Sequence, residues 1–440
     1  MQADVTARRR FHGYHVAVGG FLVYGVGVGT VYFTAAPLTA AIVPDLKFNI
    51  AVFSGIFTVR SVLGFAYPLW GWLVHRFGAK QVMVAGGIAT AILLAVTAAL
   101  SNVIGFYLVF GVALAAADGL MAYLPVFTTV NHWFIRYRGT VTGFVNAGAG
   151  VGGFVFAPVV QLMIQHLGGW RQALIGLAGF VIILGVLPAL LLITNRPEDR
   201  GEYPDGVVPK PQPEQTTGSV AMAQGLAGAN SREVERQWSV GQALRTPQVW
   251  LILTIFGIES WALGVYAVDQ VIYLKSVGVS PLAASTALGV SGLVAAVAGI
   301  VLSPLNDRIG TYWVILISTT LMTAGALLFL FARSVSLVFA FVIIFGAGYG
   351  TFVPTVPVAL SRYYGANNYA LIYGWAAPVN SLLGGFGPLV TGIIVDVTGH
   401  YTLALQLIVA LLVISIVLAL IARPPTVSPS TVKSQVVSTP

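Results

Sequence analysis

Residues 402–422 of the chain read TLALQLIVALLVISIVLALIA, a run without a single charged side chain. The hydrocarbon core of a bilayer is about 30 Å thick, and an apolar helix of about 20 residues crosses it. Eleven further runs of similar length and character precede this one. The twelve predicted spans cover residues 14–43, 51–74, 81–101, 103–130, 140–167, 172–194, 248–275, 282–303, 312–332, 335–360, 369–395 and 402–422. The sequence therefore predicts an all-α polytopic membrane protein.

Composition points the same way. Of 440 residues, 57% are hydrophobic and 8% are charged, whereas a soluble domain carries roughly 25% charged residues. The first run is too long for the apolar core of a cleaved signal peptide, so we expect it to be a retained span. The chain has no cysteine, which excludes disulfides, thiolate catalysis and cysteine-ligated metals. No histidine is spaced with another potential ligand, so neither a metal nor a cofactor is predicted.

The basic residues predict the orientation in the membrane. If both termini are cytoplasmic, 17 of the 22 Lys and Arg residues fall in cytoplasmic segments. Four fall outside, namely Lys47, Arg171, Lys275 and Arg333, and Arg60 lies within a span. This asymmetry follows the positive-inside rule and predicts a cell-membrane protein with cytoplasmic termini. Because the basic residues are spread over short loops, nucleic acid is not an expected partner.

The chain repeats itself at half its length. The segment His75-Arg76-Phe77-Gly78 recurs 232 residues later as Asp307-Arg308-Ile309-Gly310, and Pro125 recurs as Pro357 at the same spacing. Such duplication is typical of transporter folds and predicts two pseudo-symmetric six-helix bundles. The expected division is an N-terminal tail 1–13, a first bundle 14–194, a cytoplasmic linker 195–247, a second bundle 248–422 and a C-terminal tail 423–440.

The linker is rich in proline and small residues. Its composition predicts a disordered tether. Its last part, from Ser231 through Trp238 to Leu244, could instead form a short amphipathic helix at the membrane surface, with Trp250 as an interfacial anchor. The composition does not decide between these alternatives.

Four ionisable residues lie within the predicted spans: Arg60, Asp118, Glu259 and Asp269. Each costs about 2.5–3.5 kcal/mol at the centre of a membrane helix, so such residues are usually kept for a function. Arg60 in span 2 and Asp118 in span 4 lie at depths that a guanidinium could bridge. They are interpreted either as a pair that fixes two helices or as substrate-binding and proton-binding groups.

Span 7 carries a polar stripe. On a helical wheel Glu259, Tyr266 and Gln270 fall within about 40° of one another, with Tyr273 beside them. We expect this stripe to face a water-filled cavity or the partner half, where Glu259 could exchange a proton. Asp269 lies nearer the outer end of the span, where it either binds a proton or is simply solvated.

Signatures of soluble enzymes are missing from the sequence. It contains no His-Glu-x-x-His, Gly-x-Ser-x-Gly or phosphate-binding lysine loop. The pattern Gly148-x-Gly150-x-x-Gly153 matches a dinucleotide fingerprint in letters only, because it lies inside an apolar span with no preceding strand. It predicts close helix packing through small residues. The protein is not expected to be an enzyme.

The loop after span 2 carries a family motif. Its residues Gly71, His75, Arg76, Gly78 and Lys80 resemble the Gly-x-x-x-Asp-Arg-x-Gly-Arg-Lys/Arg motif of the major facilitator superfamily, with His75 replacing the acid. In the repeat after span 8, Asp307, Arg308 and Gly310 retain the acid. The resemblance covers essentially the whole chain. It implies that these residues take part in gating and that spans 1, 4, 7 and 10 line a central site with alternating access.

Other segments resemble the prokaryotic monocarboxylate-transporter and oxalate/formate-antiporter branch. They are Trp133-Phe134 with Arg136 and Arg138, Gly169-Trp170-Arg171, Arg196-Pro197-Glu198-Asp199 with Pro204-Asp205-Gly206, and Ala243-Leu244-Arg245-Thr246-Pro247. The chain departs from that branch at Asp269, where a histidine is common, and at spans 8 and 11. Span 8 has no basic residue, with Gly299 near the usual position, and span 11 offers only Asn380.

The leading hypothesis is a proton-coupled secondary transporter of a small organic acid such as a monocarboxylate, acting as a monomer. Its partners are then an organic anion, a proton and the lipid bilayer. The predicted substrate-binding residues are Arg60, Tyr32, Asp118, Tyr266, Gln270 and Asn380, and the predicted proton-coupling residues are Glu259, Asp118 and Asp269. The excess of acids over bases also fits an antiporter or exporter of a neutral or cationic compound. A membrane-embedded enzyme or a sensor is the remote alternative.

Overall fold

The computed structural model describes residues 11–48, 56, 59–60, 63–207, 238–276, 278–279 and 281–425. Within these ranges the chain is built from helices that follow the predicted spans. Eleven of the described helical stretches are long and apolar enough to cross a membrane. The second predicted span is described only in part, so it is not among the eleven. The predicted all-α polytopic architecture is confirmed.

The first half contains helical spans α1 to α6, four of which are built from several segments. Span α1 comprises Gly13–Val28, the π-helical Gly29–Phe33 and Ala35–Asp45; α2 comprises the 3-10 turn Leu63–Ala66 and Tyr67–Phe77; and α3 is Ala79–Ala98. Span α4 comprises Val103–Gly105, the π-helical Phe106–Ala113, Leu114–Met121 and Tyr123–Trp133; α5 is Arg138–His166; and α6 comprises Trp170–Phe180, the π-helical Val181–Val186 and Leu187–Leu192.

The second half contains α7 to α12, which are mostly uninterrupted. These helices are α7 Pro247–Ser276, α8 Pro281–Leu302, α9 Thr311–Leu330, α10 Val335–Tyr364, α11 Tyr369–Thr398 and α12 Thr402–Ile421. A short helix, Leu305–Arg308, follows α8. We call the side of the bundle that carries the start of α1 and the end of α12 the terminal face, and the other side the opposite face.

Glycines bring the two halves together near the terminal face. A Cβ atom on Gly71 of α2 would overlap the carbonyl oxygen of Ala370 in α11, and one on Gly143 of α5 would overlap that of Gly299 in α8. Further along α5, a Cβ on Gly150 would lie 2.7 Å from the Cβ of Ala296. Such backbone contact is how membrane helices pack without a hydrophobic driving force. The α2–α11 and α5–α8 seams therefore close the terminal face.

The glycine-rich part of α5 also packs as the sequence predicts. Gly148 lies against the backbone of Phe21 in α1, and Gly153 lies against the ring of Phe33. The glycines that match the dinucleotide fingerprint thus serve helix packing, Gly148 and Gly153 within the first half and Gly150 against Ala296 of the second.

The start of the linker differs from the predicted disordered tether, and its end is helical over the last residues of the predicted short helix. Residues Pro197–Arg200 and Pro204–Gly206 form 3-10 turns, and Val240–Leu244 forms a short helix capped by Ser239. The ends are ordered because they bind the bundles: Asp205 Oδ2 accepts backbone hydrogen bonds from Ile135 and Arg136 at 3.1 and 2.7 Å. Residues 208–237, including most of the predicted amphipathic helix, lie outside the described residues.

Candidate functional site

Arg60 and Asp118 of the first half lie within electrostatic range of each other without touching. They interact electrostatically, and Arg60 does so with Tyr32 as well. No ion pair within 4.0 Å joins the two side chains, although both belong to the described part of the chain. Arg60 Nη1 and Asp118 Oδ1 are each buried without a hydrogen-bond partner among the described residues. Each group is therefore available to bind a third one.

Arg60 approaches an aromatic ring. Its guanidinium carbon lies 5.7 Å from the centre of the Phe110 ring, a distance at which a cation is attracted to the ring face. Tyr32, its electrostatic partner on α1, is 58% exposed. The arginine is thus held on one side by an aromatic face.

The position of Asp118 depends on a glycine and on a break in α4. A Cβ on Gly27 of α1 would lie 3.4 Å from Asp118 Oδ1 and 3.2 Å from Ala122 Cβ, so glycine gives the carboxylate room. The helix is interrupted at Ala122, where φ is −92° and ψ is −110°. The Ala122 amide donates to the Asp118 carbonyl oxygen at 2.9 Å. Discontinuous helices of this kind are typical of substrate sites in transporters.

Aromatic rings from both halves fill the space between Asp118 and the terminal face. Tyr123 of α4 lies 5.4 Å from Tyr373 of α11 and 6.2 Å from Phe256 of α7, measured between ring centres. Tyr67 of α2 lies 5.5 Å from Tyr373. The Tyr123 hydroxyl also donates to the carbonyl oxygen of Val353 in α10 at 3.3 Å. This set, which we call the aromatic floor, comprises Tyr67, Tyr123, Phe256 and Tyr373.

The polar stripe of α7 was expected to face a water-filled cavity or the first half, and the structure places it differently. Glu259 is fully buried within the second half, where Ser415 of α12 donates to its Oε1 at 3.4 Å. Tyr266 packs against Phe329 of α9 and Phe345 of α10 at 4.9 and 4.8 Å. Helical periodicity shows that these residues share a side of α7, but it does not show which neighbour that side meets. The stripe faces the interior of the second half, not the seam or an open cavity.

Of the remaining predicted site residues of the second half, the structure describes the side chains of Gln270 and Asn380. Gln270 is 2% exposed, and its Nε2 has no partner within the described ranges. Asn380 of α11 accepts a hydrogen bond from Ser260 of α7 at 3.0 Å, and the next residue, Ser381, abuts Gly64 of α2. Asn380 therefore lies beside the seam. The side chain of Asp269 is outside the described residues.

The two copies of the loop motif behave differently. Asp307 binds the first turn of α5 in the other half and pairs with Arg362 at 2.7 Å. In the first copy, His75 and Arg76 are exposed, and the Lys80 ammonium donates to the Leu190 carbonyl oxygen at 2.7 Å within the same half. The acid present only in the second copy thus gives that copy its contact between halves.

Glycines shape both copies of the motif. Gly78 and Gly310 each have a φ of +89°, which a side chain would strain. Gly71 forms part of the α2–α11 seam described above. Arg308 is exposed. Sequence reasoning missed Arg362 as the partner of Asp307, since only its location at the end of span 10 was readable.

Comparison with known proteins gives a consistent assignment. The family model described as Major Facilitator Superfamily matches residues 16–274 and 258–439. Monocarboxylate transporter 12 of Xenopus laevis is 26% identical over 349 residues, which are 77% of this chain and 73% of that protein. An uncharacterized MFS-type transporter of Escherichia coli K12, YhjX, is 24% identical over 359 residues, covering 81% of this chain and 82% of its own length.

Solved structures share the fold. The transporter FucP in its outward conformation superposes with a TM-score of 0.66 at 14% identity, covering 93% of this chain and 98% of FucP. The human organic anion transporter MFSD10 gives 0.64 at 13% identity, covering 93% and 99%. With the family model matched across both halves, the chain belongs to the Major Facilitator Superfamily and is a multi-pass membrane transporter of the monocarboxylate-transporter-like branch, not an enzyme.

Proposed function

We propose that the protein carries a small organic acid together with a proton by alternating access, with Arg60 as the anion contact and Asp118 as the proton-binding group. The observation that carries this proposal is that these two side chains lie within electrostatic range but unpaired, each with a buried atom that lacks a partner among the described residues. A substrate carboxylate can approach Arg60 without first displacing Asp118 from a direct ion pair.

Charge balance argues for a proton. An ionised Asp118 near Arg60 gives a local net charge of zero, and adding a substrate carboxylate would leave one uncompensated negative charge. In a medium of low dielectric constant such a charge is costly. Protonation of Asp118 restores neutrality while the substrate occupies Arg60. The loaded carrier is then neutral and can change conformation across the membrane.

We further propose that both termini are cytoplasmic and that the structure represents the outward-facing state of a monomer in the cell membrane. The distribution of Lys and Arg supports this orientation. Closure of the α2–α11 and α5–α8 seams at the terminal face supports the conformation, because a carrier closed on its cytoplasmic side opens to the other.

The alternative of a neutral or cationic substrate rested on an excess of acids around the central site. The placement of Glu259 inside the second half weakens that argument, because Asp118 is the described carboxylate beside Arg60. Among the described residues the site then has one acid and one base, which suits an organic anion that enters with a proton.

Reconstituted liposomes test the proposal with matched variants. Arg60→Gln should lose uptake of every organic acid, whereas Arg333→Gln, at an exposed position between α9 and α10, should retain it. Asp118→Asn should lose accumulation driven by a proton gradient but retain exchange of substrate for substrate, and Asp45→Asn should behave like the unmodified protein. Normal uptake by Arg60→Gln, or normal proton-driven accumulation by Asp118→Asn, contradicts the proposal.

A further inference from the structure

The second half contains a buried carboxyl group that the Arg60–Asp118 site does not use. Glu259 lies in α7, twelve residues after its start at Pro247, or about 18 Å along the helix axis. The residue is 0% exposed, and its Oε2 is buried without a hydrogen-bond partner in the part of the chain that the structure describes. Such an atom is a strong donor or acceptor held away from both water and protein partners.

Hydroxyl groups on α9 and α12 surround the carboxyl group. Ser415 donates to Oε1 at 3.4 Å, and Thr319 is its other polar neighbour. The Thr319 hydroxyl donates its hydrogen to the carbonyl oxygen of Ile315 at 2.8 Å. Toward Glu259 it can therefore offer only a lone pair. That lone pair can accept a hydrogen from a protonated carboxyl group but gives nothing to an ionised one.

The surrounding helices supply no positive charge close to Glu259. In the helical segments of α8 to α12 themselves, the loops between them left aside, the sequence has only two Asp, Glu, Lys, Arg or His residues, Arg362 and Asp396. Arg362 is bound to Asp307 at the terminal face, and Asp396 belongs to the last turn of α11, near the opposite face. On α7 itself the other charged residues are Asp269 and Lys275, toward the end of the helix. An ionised Glu259 would thus be a buried charge without a described counter-ion, at a cost of several kcal/mol.

Two more unpartnered polar groups lie on the same helix toward the opposite face. Tyr266 and Gln270 are 3% and 2% exposed, and no described residue hydrogen-bonds to the Tyr266 hydroxyl or to Gln270 Nε2. They follow Glu259 by seven and eleven residues, or about 10 and 16 Å along the axis. Polar groups that are buried without partners are rare in native proteins. All three residues lie on one side of α7, and Tyr266 and Gln270 lie between the carboxyl group and the end of the helix at the opposite face.

We infer that Glu259 is a proton-binding site inside the second half, separate from Arg60 and Asp118 and reached from the opposite face along Gln270 and Tyr266. The protonated acid accepts a hydrogen bond from Ser415 at Oε1 and donates one from Oε2 toward Thr319. This joins α7 to α9 and α12. Loss of the proton leaves a charge that these helices do not compensate, so α7 must shift before the site can empty. The consequence for transport rests on the proposed proton-coupled function.

Infrared spectroscopy of the purified full-length protein tests proton binding without any transport assay. A neutral carboxylic acid has a carbonyl stretch that a carboxylate lacks. We expect this band at neutral pH in the unmodified protein and in Asp118→Asn, and we expect Glu259→Gln to lose the Glu259 contribution. An unchanged carboxylic acid band in Glu259→Gln would overturn the inference.

If Glu259→Gln does not fold, two variants that each remove one hydroxyl group test the same inference. Ser415→Ala removes the hydrogen bond to Oε1, so the carbonyl stretch should move to higher frequency. Ser318→Ala is the matched control, because Ser318 is equally buried and its hydroxyl bonds carbonyl oxygens of its own helix. Equal spectra for both variants and the unmodified protein would contradict a proton on Glu259.

A transport measurement then separates this inference from the proposed function. In liposomes, Glu259→Gln cannot release a proton when α7 shifts, so its uptake should be slower and should vary less with pH, while the accumulation ratio, which the Asp118 proton sets, should stay the same. An uptake rate and a pH dependence that match those of the unmodified protein would overturn a role for this site in transport. If the unmodified protein itself shows no proton-driven uptake but retains the band, the proposed function fails while the proton site stands.

Discussion

The carboxylate of Asp307 in the second half binds the backbone of Gly139 in the first half, with an N···O distance of 2.9 Å. Its other oxygen accepts hydrogen bonds of 2.8 Å from both the amide and the hydroxyl of Thr140. These amides belong to the first turn of α5, where unpaired N–H groups and the helix dipole favour an anion. Arg362 orients the carboxylate from its own half. This contact ties the halves together at the terminal face.

Removing the charge at position 307 should loosen that closure. Hydrogen bonds to a charged group contribute about 1.5–3 kcal/mol, so Asp307→Asn should raise the open fraction of the terminal face about tenfold, since about 1.4 kcal/mol corresponds to a factor of ten. The chain has no native cysteine. A single Ser303→Cys substitution at the buried α5–α8 seam therefore reports opening by the rate at which its thiol is alkylated.

Arg308→Gln is the matched control for this measurement, because Arg308 is exposed beside Asp307. Added to the Ser303→Cys background, it should leave the alkylation rate close to that of the background alone. Equal rates in Asp307→Asn and Arg308→Gln would show that the Asp307 contact does not hold the face closed.

The α5–α8 seam should not tolerate a side chain at Gly143. A Cβ there would overlap the Gly299 carbonyl oxygen and Ser303, so Gly143→Ala should separate the helices and reduce uptake severalfold at unchanged expression. Gly392→Ala in α11 is the control, since no described atom lies within 4 Å of its added Cβ and alanine favours a helix by up to about 1 kcal/mol. Comparable uptake by the two variants would contradict the proposed closure.

The aromatic floor should prevent leakage past Asp118. Tyr123→Ala removes a ring that contacts α7 and α11, so efflux of accumulated substrate should become faster. Tyr123→Phe keeps the ring and loses only the bond to Val353, which has a modest net value of about 1 kcal/mol, so it should retain most accumulation. Tyr137→Ala, at an exposed position, serves as the control. If efflux of accumulated substrate is no faster in Tyr123→Ala than in the unmodified protein, the aromatic floor does not prevent leakage.

The start of the linker should respond to pH through His12. Its Nδ1 atom lies 3.0 Å from the Arg200 guanidinium, and its backbone amide donates to Glu202 at 3.0 Å. Burial, and then the charges of Arg200 and of His15, lower the pKa of His12, while Glu202 opposes them. A lowered pKa means that the docked linker favours neutral His12. Docking is therefore strongest above the ordinary histidine pKa of about 6.5 and weakens as the pH falls below it.

Hydrogen exchange measures this effect. The Ile135 and Arg136 amides, which the linker residue Asp205 binds, should lose protection on acidification after correction for the intrinsic exchange rate. His12→Gln should abolish this dependence, whereas His15→Gln should preserve most of it, because His15 is exposed and acts mainly through its charge. Protection that does not change with pH in the unmodified protein would refute the response.

The limits of the helices were readable in the sequence because bilayer thickness sets the length of a span. The duplication was readable because the loop motif and Pro125 recur at one spacing. Predicted span 140–167 corresponds to Arg138–His166, and 335–360 extends to Tyr364, since helices continue past the hydrocarbon core. The neighbours of Glu259 were not readable. Periodicity aligns it with Tyr266, but only the packing of α9 and α12 shows that this side of α7 is internal. The docking of Asp205 and the partner of Asp307 likewise depend on contacts between distant segments.

If one proton and one carboxylate are carried together, uptake is electrically neutral, and a measurement of its driving force tests this coupling. Liposomes containing the protein are given either a pH gradient or a membrane potential, with protein-free liposomes to correct for passive entry of undissociated acid. We expect a monocarboxylate to accumulate with the pH gradient alone, the membrane potential to have no effect, and Asp118→Asn to abolish the accumulation. Uptake that follows the membrane potential and ignores the pH gradient would contradict it.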